Sequence, residues 1–219
     1  MKTTKKRKVF IVDDHPVVRQ GLSQFINSED DLFVCGEAED AESAIKGINS
    51  LNPDIVIADI SLHGTGGIDL ASAIQSRFDI PVLILSMHDE FIFAERAIRA
   101  GARGYLMKKE SMEKVIFAIH EILEGKIYLS DDLKDKIISK IMKGSFESES
   151  SLDRLTNREM EVFQRIGLGM STKFIAQELN LSVKTIETYR ERIKQKLNLK
   201  DANELTQYAV QWGSLMEKK

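Results

Sequence analysis

Over the first 125 residues, short β-branched runs alternate with segments of helical period. KVFIV, DLFVCGEA, PDIVIADI, PVLILS and RGYLM predict five strands. Between them PVVRQGLSQFINS, AESAIKGINS, GGIDLASAIQSR and DEFIFAERAIRAG predict helices, and SMEKVIFAIHEILEG follows the last strand. Three of the strands are almost wholly apolar, as expected where helices cover both faces of a sheet. Pro16 stands at a helix start, Pro53 and Pro81 at strand entries, and Gly101 after a helix, each where its backbone preference belongs. Five such repeats predict an α/β fold with a doubly wound, five-stranded parallel sheet, whose ligands bind beyond the strand C-terminal ends.

The pattern then changes. In GKIYLSDDLKDKIISKIMKGSFESESS, Leu133, Ile137, Ile138 and Ile141 recur at helical spacing behind a Ser130 cap. Gly144 ends that helix, and SFESESS reads as polar linker; whether the helix packs on the first domain, on the last or on a second subunit stays open. From Leu152 strand signals vanish. TNREMEVFQRIGLG starts with a Thr156–Glu159 capping box. STKFIAQELN and SVKTIETYRERIKQKLN, each opened by serine, flank the turn LNLS, and DANELTQYAVQWG makes a fourth helix. A small all-α, four-helix domain with a helix-turn-helix is the expectation, giving three parts: 1–126, a linker with one helix over 127–151, and 152–219.

Charge sharpens this division. The chain of 219 residues has 31 basic and 34 acidic residues, a net of −3. Residues 1–8 carry +5, residues 9–151 carry −11 and residues 152–219 carry +3. An acidic body and a basic end imply different partners. The basic N-terminal run reads as a solvated terminus. One cysteine, Cys35, permits no internal disulfide; it reads as a small buried strand residue, and four scattered histidines offer no zinc constellation. No apolar run reaches the roughly 18 residues of a membrane span and no signal peptide follows the start, so a cytoplasmic protein without a membrane partner is expected.

Candidate chemistry falls at the predicted strand ends. Asp13 and Asp14 close the first strand, Asp59 the third, Ser86 the fourth, and Lys108 follows the fifth. Carboxylates converging at one edge repel unless a cation joins them, and Mg2+ suits oxygen ligands. A lysine and a hydroxyl beside them can bind an oxyanion, which describes phosphoryl transfer to an aspartate nucleophile. A dehalogenase-type phosphatase wants a second aspartate where Ser61 stands, and HGTGG lacks the lysine of a phosphate-binding loop. His63, Gly64, Gly66 and Gly67 read as a turn opening the third helix, and His15 and His120 as helix residues without chemistry.

VFIVDDHP, DIVIADISLHGTGGIDL, PVLILSMHD and AGARGYLMKK resemble, in order and spacing over residues 5–125, the signature segments of a response-regulator receiver domain. The resemblance implies phosphorylation of Asp59 by a sensor histidine kinase. It implies Mg2+ ligated by Asp14, Asp59 and the main-chain carbonyl of Ser61, with Asp13 acting through water. Lys108 would pair with a phosphoryl oxygen, Ser86 would swing to another, and Tyr105 would rotate with it. His88 and Ser61 stand where they would tune access of the hydrolytic water. Such a domain is no enzyme beyond its own phosphotransfer and dephosphorylation.

The last domain resembles the LuxR-type DNA-binding domain, so the whole chain resembles a two-component response regulator of the NarL/FixJ family. The helix-turn-helix would span residues 172–191. Val183, Ile186, Ile193 and Leu197 form one stripe of its second helix, facing Ile175, Ala176 and Leu179; Tyr189 packs near that stripe with its hydroxyl at the phosphate backbone. Residues 171–200 carry a net +4. By resemblance Glu187, Thr188 and Glu191 would reach base edges of double-stranded DNA. Lys173, Lys184, Thr185, Arg192 and Lys196 would hold phosphates. Glu187 either accepts from cytosine N4 or pairs at i,i+4 on a solvated face. A homodimer is expected when the protein is phosphorylated or DNA-bound, with the last helix around Leu205, Ala209 and Val210 as its surface. Two rival readings remain: DNA binding without a phosphate switch, and an enzyme whose basic domain binds protein.

Overall fold

A computed structural model describes residues 6–62, 66–87, 90–142 and 151–217. Five strands, β1 (Arg7–Val12), β2 (Leu32–Ala38), β3 (Ile55–Asp59), β4 (Val82–Ser86) and β5 (Gly104–Met107), form one parallel sheet in the order β2-β1-β3-β4-β5. Helices α1 (Pro16–Ser28), α2 (Ala41–Leu51), α3 (Gly67–Phe78), α4 (Glu90–Arg99) and α5 (Met112–Leu123) connect and flank it. Parallel strands need such crossovers, because a tight turn cannot return the chain to the same sheet edge. The doubly wound sheet read from periodicity is the sheet observed.

Both faces of the sheet are dry. Val9, Ile11, Ile55, Ile57, Leu83 and Leu85 pack against Leu22 and Ile26 of α1 and Val115, Ala118, Ile119 and Ile122 of α5. The alternate strand positions Phe10, Val56, Ala58 and Ile84 are buried as well. The Phe10 ring lies so close to α2 that a Cβ on Gly47 would stand 2.7 Å from it. Burying each large aliphatic side chain stabilises by roughly 1.5–3 kcal/mol, which is why the central strands are nearly unbroken apolar runs.

Register aligns the strand ends. Val12 pairs with Ala58, Asp59 with Leu85, and Ser86 with Met107. Asp13, Asp59, Ser86 and Lys108 therefore leave the sheet along one edge. Gly67, the first residue of α3, crosses directly over the end of β3: a Cβ there would lie 1.8 Å from the Asp59 carbonyl oxygen. Only glycine fits that crossing.

By contact density the chain divides into Met1–Ser139 and Lys140–Lys219. Helix α6 (Asp131–Met142) begins within the first unit, where Leu133 is buried and Ser130 caps the first turn by accepting from the Leu133 N–H. That answers the packing question for the start of the linker helix. Ile138 is exposed. The side chains of Ile137 and Ile141, and Gly144 with SFESESS, lie outside the described residues.

The second unit has a 3-10 turn (Ser151–Arg154), α7 (Asn157–Gly167), α8 (Thr172–Glu178), α9 (Val183–Leu197) and α10 (Ala202–Glu217). The Thr156–Glu159 capping box is formed in both directions, and Ser171 and Ser182 cap α8 and α9. Phe163 anchors the core, its ring 5.8 Å from Tyr208 and 5.6 Å from Trp212.

Some expectations give way. Cys35 is only half-buried, because β2 is an edge strand. Val183, the first residue of α9, is exposed, leaving Ile186 and Ile193 as the buried stripe. Leu205 and Ala209 are fully buried, so they are no docking surface. They pack inward where α10 meets α7, so closely that a Cβ on Gly167 would lie 2.6 Å from the Ala209 carbonyl oxygen. Val210 alone of the three faces outward.

Candidate functional site

At the C-terminal edge of the sheet Asp13, Asp59 and Ser86 are almost completely buried. Lys108 joins the two carboxylates: its Nζ lies 2.6 Å from Asp13 Oδ2 and 2.9 Å from Asp59 Oδ2. The chain positions this lysine through the strand end, where the Lys108 N–H donates to the Ser86 carbonyl at 2.7 Å. Ser86 and Tyr105 are both fully buried, the hydroxyl at the end of β4 and the phenol within neighbouring β5.

Burial pushes the Asp59 carboxyl above its ordinary pKa, opposed by the Lys108 ammonium and by a hydrogen bond from the Ser61 N–H. Burial works against the charge of Lys108, but Asp59 and Asp13 outweigh it and hold its pKa above the ordinary lysine value. A desolvated carboxylate beside a fixed ammonium is a charge arrangement built to accept an incoming anion.

Asp14 stands beside this pair with a neighbour dismissed from the sequence. His15 is not inside α1 but precedes it, as its N-cap residue. Its Nδ1 lies 2.6 Å from Asp14 Oδ1 and 3.3 Å from Asp13 Oδ1, and its N–H donates to Asp13 Oδ1. The missed signal was its adjacency to two aspartates at a strand end. His120 also has a partner, Asp31 at 3.1 Å, away from the site. His63, Gly64 and His88 lie outside the described residues, as does the basic run before Lys6.

Ligand atoms of Asp13, Asp14, His15 and Asp59 all lie within 4.8 Å of one another. Three carboxylates in so small a space fit a hard divalent cation. No helix among the described residues is long and apolar enough to cross a membrane.

In the second unit, Lys173, Lys184, Glu187, Thr188, Glu191 and Arg192 are exposed on α8 and α9. Ser182 Oγ holds the start of α9 by accepting from the Thr185 N–H, and it lies 2.8 Å from the Thr185 hydroxyl. Thr188 donates to the Lys184 carbonyl. Glu191 pairs with Lys194 at 2.8 Å. Tyr189 is half-buried. Lys196 differs from the other expected phosphate contacts: its Nζ lies 2.6 Å from Glu159 Oε2, and Glu159 is buried. An exposed helix face of this composition, set on a second short helix behind a tight turn, suits the major groove.

A parallel α/β sheet with a lysine-bridged carboxylate pair at its C-terminal edge, followed by a helix-turn-helix, is the architecture of a receiver joined to a DNA-binding domain. Residues 9–120 match the response regulator receiver domain, and residues 153–209 match the bacterial regulatory proteins of the luxR family. Over 209 residues the chain is 34% identical to the oxygen regulatory protein NreC of Staphylococcus carnosus, covering 93% of this chain and 96% of that protein. It is 32% identical to the response regulator UvrY of Escherichia coli over 206 residues, 94% of each chain. A solved LuxR-family two-component response regulator from Aurantimonas sp. is 34% identical, with a TM-score of 0.59, covering 63% of this chain and 99% of the other. The chain belongs to the NarL/FixJ family of two-component response regulators, DNA-binding proteins that join a receiver domain to a LuxR-type domain.

Proposed function

We propose that Asp59 accepts a phosphoryl group from a phosphohistidine of a sensor kinase, and that this controls dimerisation, operator binding and transcription. Attack by an Asp59 oxygen forms the new P–O bond as the donor's P–N bond breaks, and the departing imidazole takes up a proton. Asp14, Asp59 and the Ser61 carbonyl, with Asp13 acting through water, would hold Mg2+, which would supply charge neutralisation. Lys108 turns to a phosphoryl oxygen, Ser86 binds another, and Tyr105 follows Ser86. The receiver catalyses only its own phosphotransfer and dephosphorylation. The protein works in the cytoplasm, as a homodimer on a two-fold operator, with Glu187, Thr188 and Glu191 at base edges and Lys173, Lys184, Thr185 and Arg192 on phosphates.

The observation that carries this reading is the Lys108 ammonium between the buried Asp13 and Asp59 carboxylates at the strand ends. The test is phosphate uptake from acetyl phosphate with Mg2+, read by intact mass and peptide mapping. One phosphoryl group on Asp59, absent from Asp59→Asn, is the expected result. Uptake at another residue in that variant overturns the assignment.

A further inference from the structure

The His15 ring has no structural task in the chain that would account for its position. Pro16 opens α1, and a residue before proline is pushed out of the helical region. His15 is accordingly extended, with φ −93° and ψ 108°, and its ring makes no capping bond to the helix it precedes. The ring is 63% exposed, so it fills no core. The strand end holds the residue instead: the His15 N–H donates to Asp13 Oδ1 at 2.9 Å. Arg19, one turn into α1, donates to the Asp13 carbonyl at 2.5 Å and lies 3.5 Å from Glu37 of β2. These contacts tie the loop that carries the ring to both α1 and β2.

The carboxylate oxygens divide between two nitrogen-bearing neighbours. Lys108 takes Asp13 Oδ2 and Asp59 Oδ2. His15 Nδ1 meets Oδ1 atoms, 2.6 Å away on Asp14 and 3.3 Å away on Asp13. Neighbouring ligands of an octahedral ion, each about 2.1 Å from it, are about 3 Å apart. The two nitrogen–oxygen distances straddle that value. One ligand atom from each of Asp13, Asp14, His15 and Asp59 falls within 4.8 Å of all the others. An imidazole nitrogen changes what such a site selects, because oxygen sets suit Mg2+ whereas imidazole favours first-row transition ions.

We propose that His15 is a nitrogen ligand of the cation beside Asp59, and that it biases this receiver toward a divalent transition ion over Mg2+. The ring supplies Nδ1 to an ion also held by Asp14 and Asp59, in a place that water would otherwise fill. Phosphate uptake then needs a lower concentration of such an ion than of Mg2+. For the use made of the ion, this rests on the phosphoacceptor reading of Asp59.

The test is Mn2+ binding to the full chain, measured by electron paramagnetic resonance of free and bound ion, with Mg2+ affinity read by competition. Electron spin echo modulation of bound Mn2+ should show a directly bonded imidazole nitrogen. His15→Ala and His15→Gln should both lose that signal, and should weaken Mn2+ about tenfold and Mg2+ much less. Both variants should fold, since the ring caps nothing and packs in no core. Gln keeps a hydrogen-bond donor, so a ring that only oriented Asp14 would leave His15→Gln near wild type. The proposal is overturned if Mn2+ does not bind, if bound Mn2+ shows no nitrogen, or if Mn2+ and Mg2+ weaken equally. Persistence of the nitrogen signal in His15→Ala assigns it to another histidine and overturns the proposal as well. Phosphate uptake by Asp59 is measured with each ion on the same samples. Labelled Asp59 without a nitrogen signal removes the ligand role and leaves the phosphoacceptor reading standing. A nitrogen signal lost in both variants, with Asp59 unlabelled, keeps the ligand and overturns that reading.

Discussion

The Lys196 ammonium of α9 lies 2.6 Å from the Glu159 carboxylate of α7. Glu159 Oε2 also accepts from the Thr156 N–H, so one buried carboxylate closes the capping box of α7 and tethers the DNA-reading helix. Burial alone would raise the Glu159 pKa, but Lys196 and Thr156 outweigh it and hold it below its ordinary value. A depressed carboxylate contributes stability above its unfolded pKa and loses it as pH falls through the folded one. Glu159→Gln should therefore lower the thermal midpoint of the second unit at pH 7. The difference from wild type should shrink below about pH 4.5. Calorimetry across pH 3–7 checks this; a constant difference across that range removes the ion pair as its cause.

Asp59 has the opposite sign. Its folded pKa is raised, chiefly by burial, so its charge costs stability at neutral pH, and that cost fades as pH falls toward the unfolded value. Asp59→Asn should stabilise the receiver on the order of 1 kcal/mol at pH 7, since Lys108 keeps Asp13 as partner. Urea unfolding at pH 7 and pH 4 should show the gain narrowing. Loss of stability at pH 7 would mean that Lys108 needs both carboxylates.

Gly67→Ala should be far more damaging than its single methyl suggests. The added Cβ would lie 1.8 Å from the Asp59 carbonyl oxygen, so α3 and β3 must separate. Overpacking against backbone costs about 1–3 kcal/mol, sometimes more. Phosphate uptake should fall with it, because the shifted peptide carries the acceptor. An unchanged unfolding midpoint would refute the close crossing.

The receiver site was legible because strand ends and periodicity do the same work: once Asp59 ends a parallel strand, register brings Asp13 and Ser86 beside it. His15 was misread because helical pattern does not separate an N-cap from a first turn, although the two aim side chains differently. Leu205 and Ala209 share a face at i,i+4, and sequence alone does not say whether α7 or a second protomer covers it. The pairing of Lys196 is not visible in the sequence pattern because its partner Glu159 is 37 residues away. Local pattern finds elements; contacts across such distances depend on how helices cross.

Glu187 carries the last prediction. It is exposed on α9, and its i,i+4 neighbour Glu191 is paired instead with Lys194. That leaves a carboxylate on a helix face whose neighbours Lys184 and Arg192 suit phosphates. Glutamate near phosphates costs affinity unless it accepts a hydrogen bond from a base, and cytosine N4 is the major-groove donor it fits. Glu187→Gln should then relax preference at one base position, changing discrimination there by about 1–3 kcal/mol while other positions keep theirs. Lys184→Ala, by contrast, should weaken all sequences alike and reduce the salt slope by about 0.9. Binding selection from randomised duplexes at two salt concentrations separates the two effects. If Glu187→Gln instead strengthens binding to every sequence equally, Glu187 only repels the backbone and reads no base.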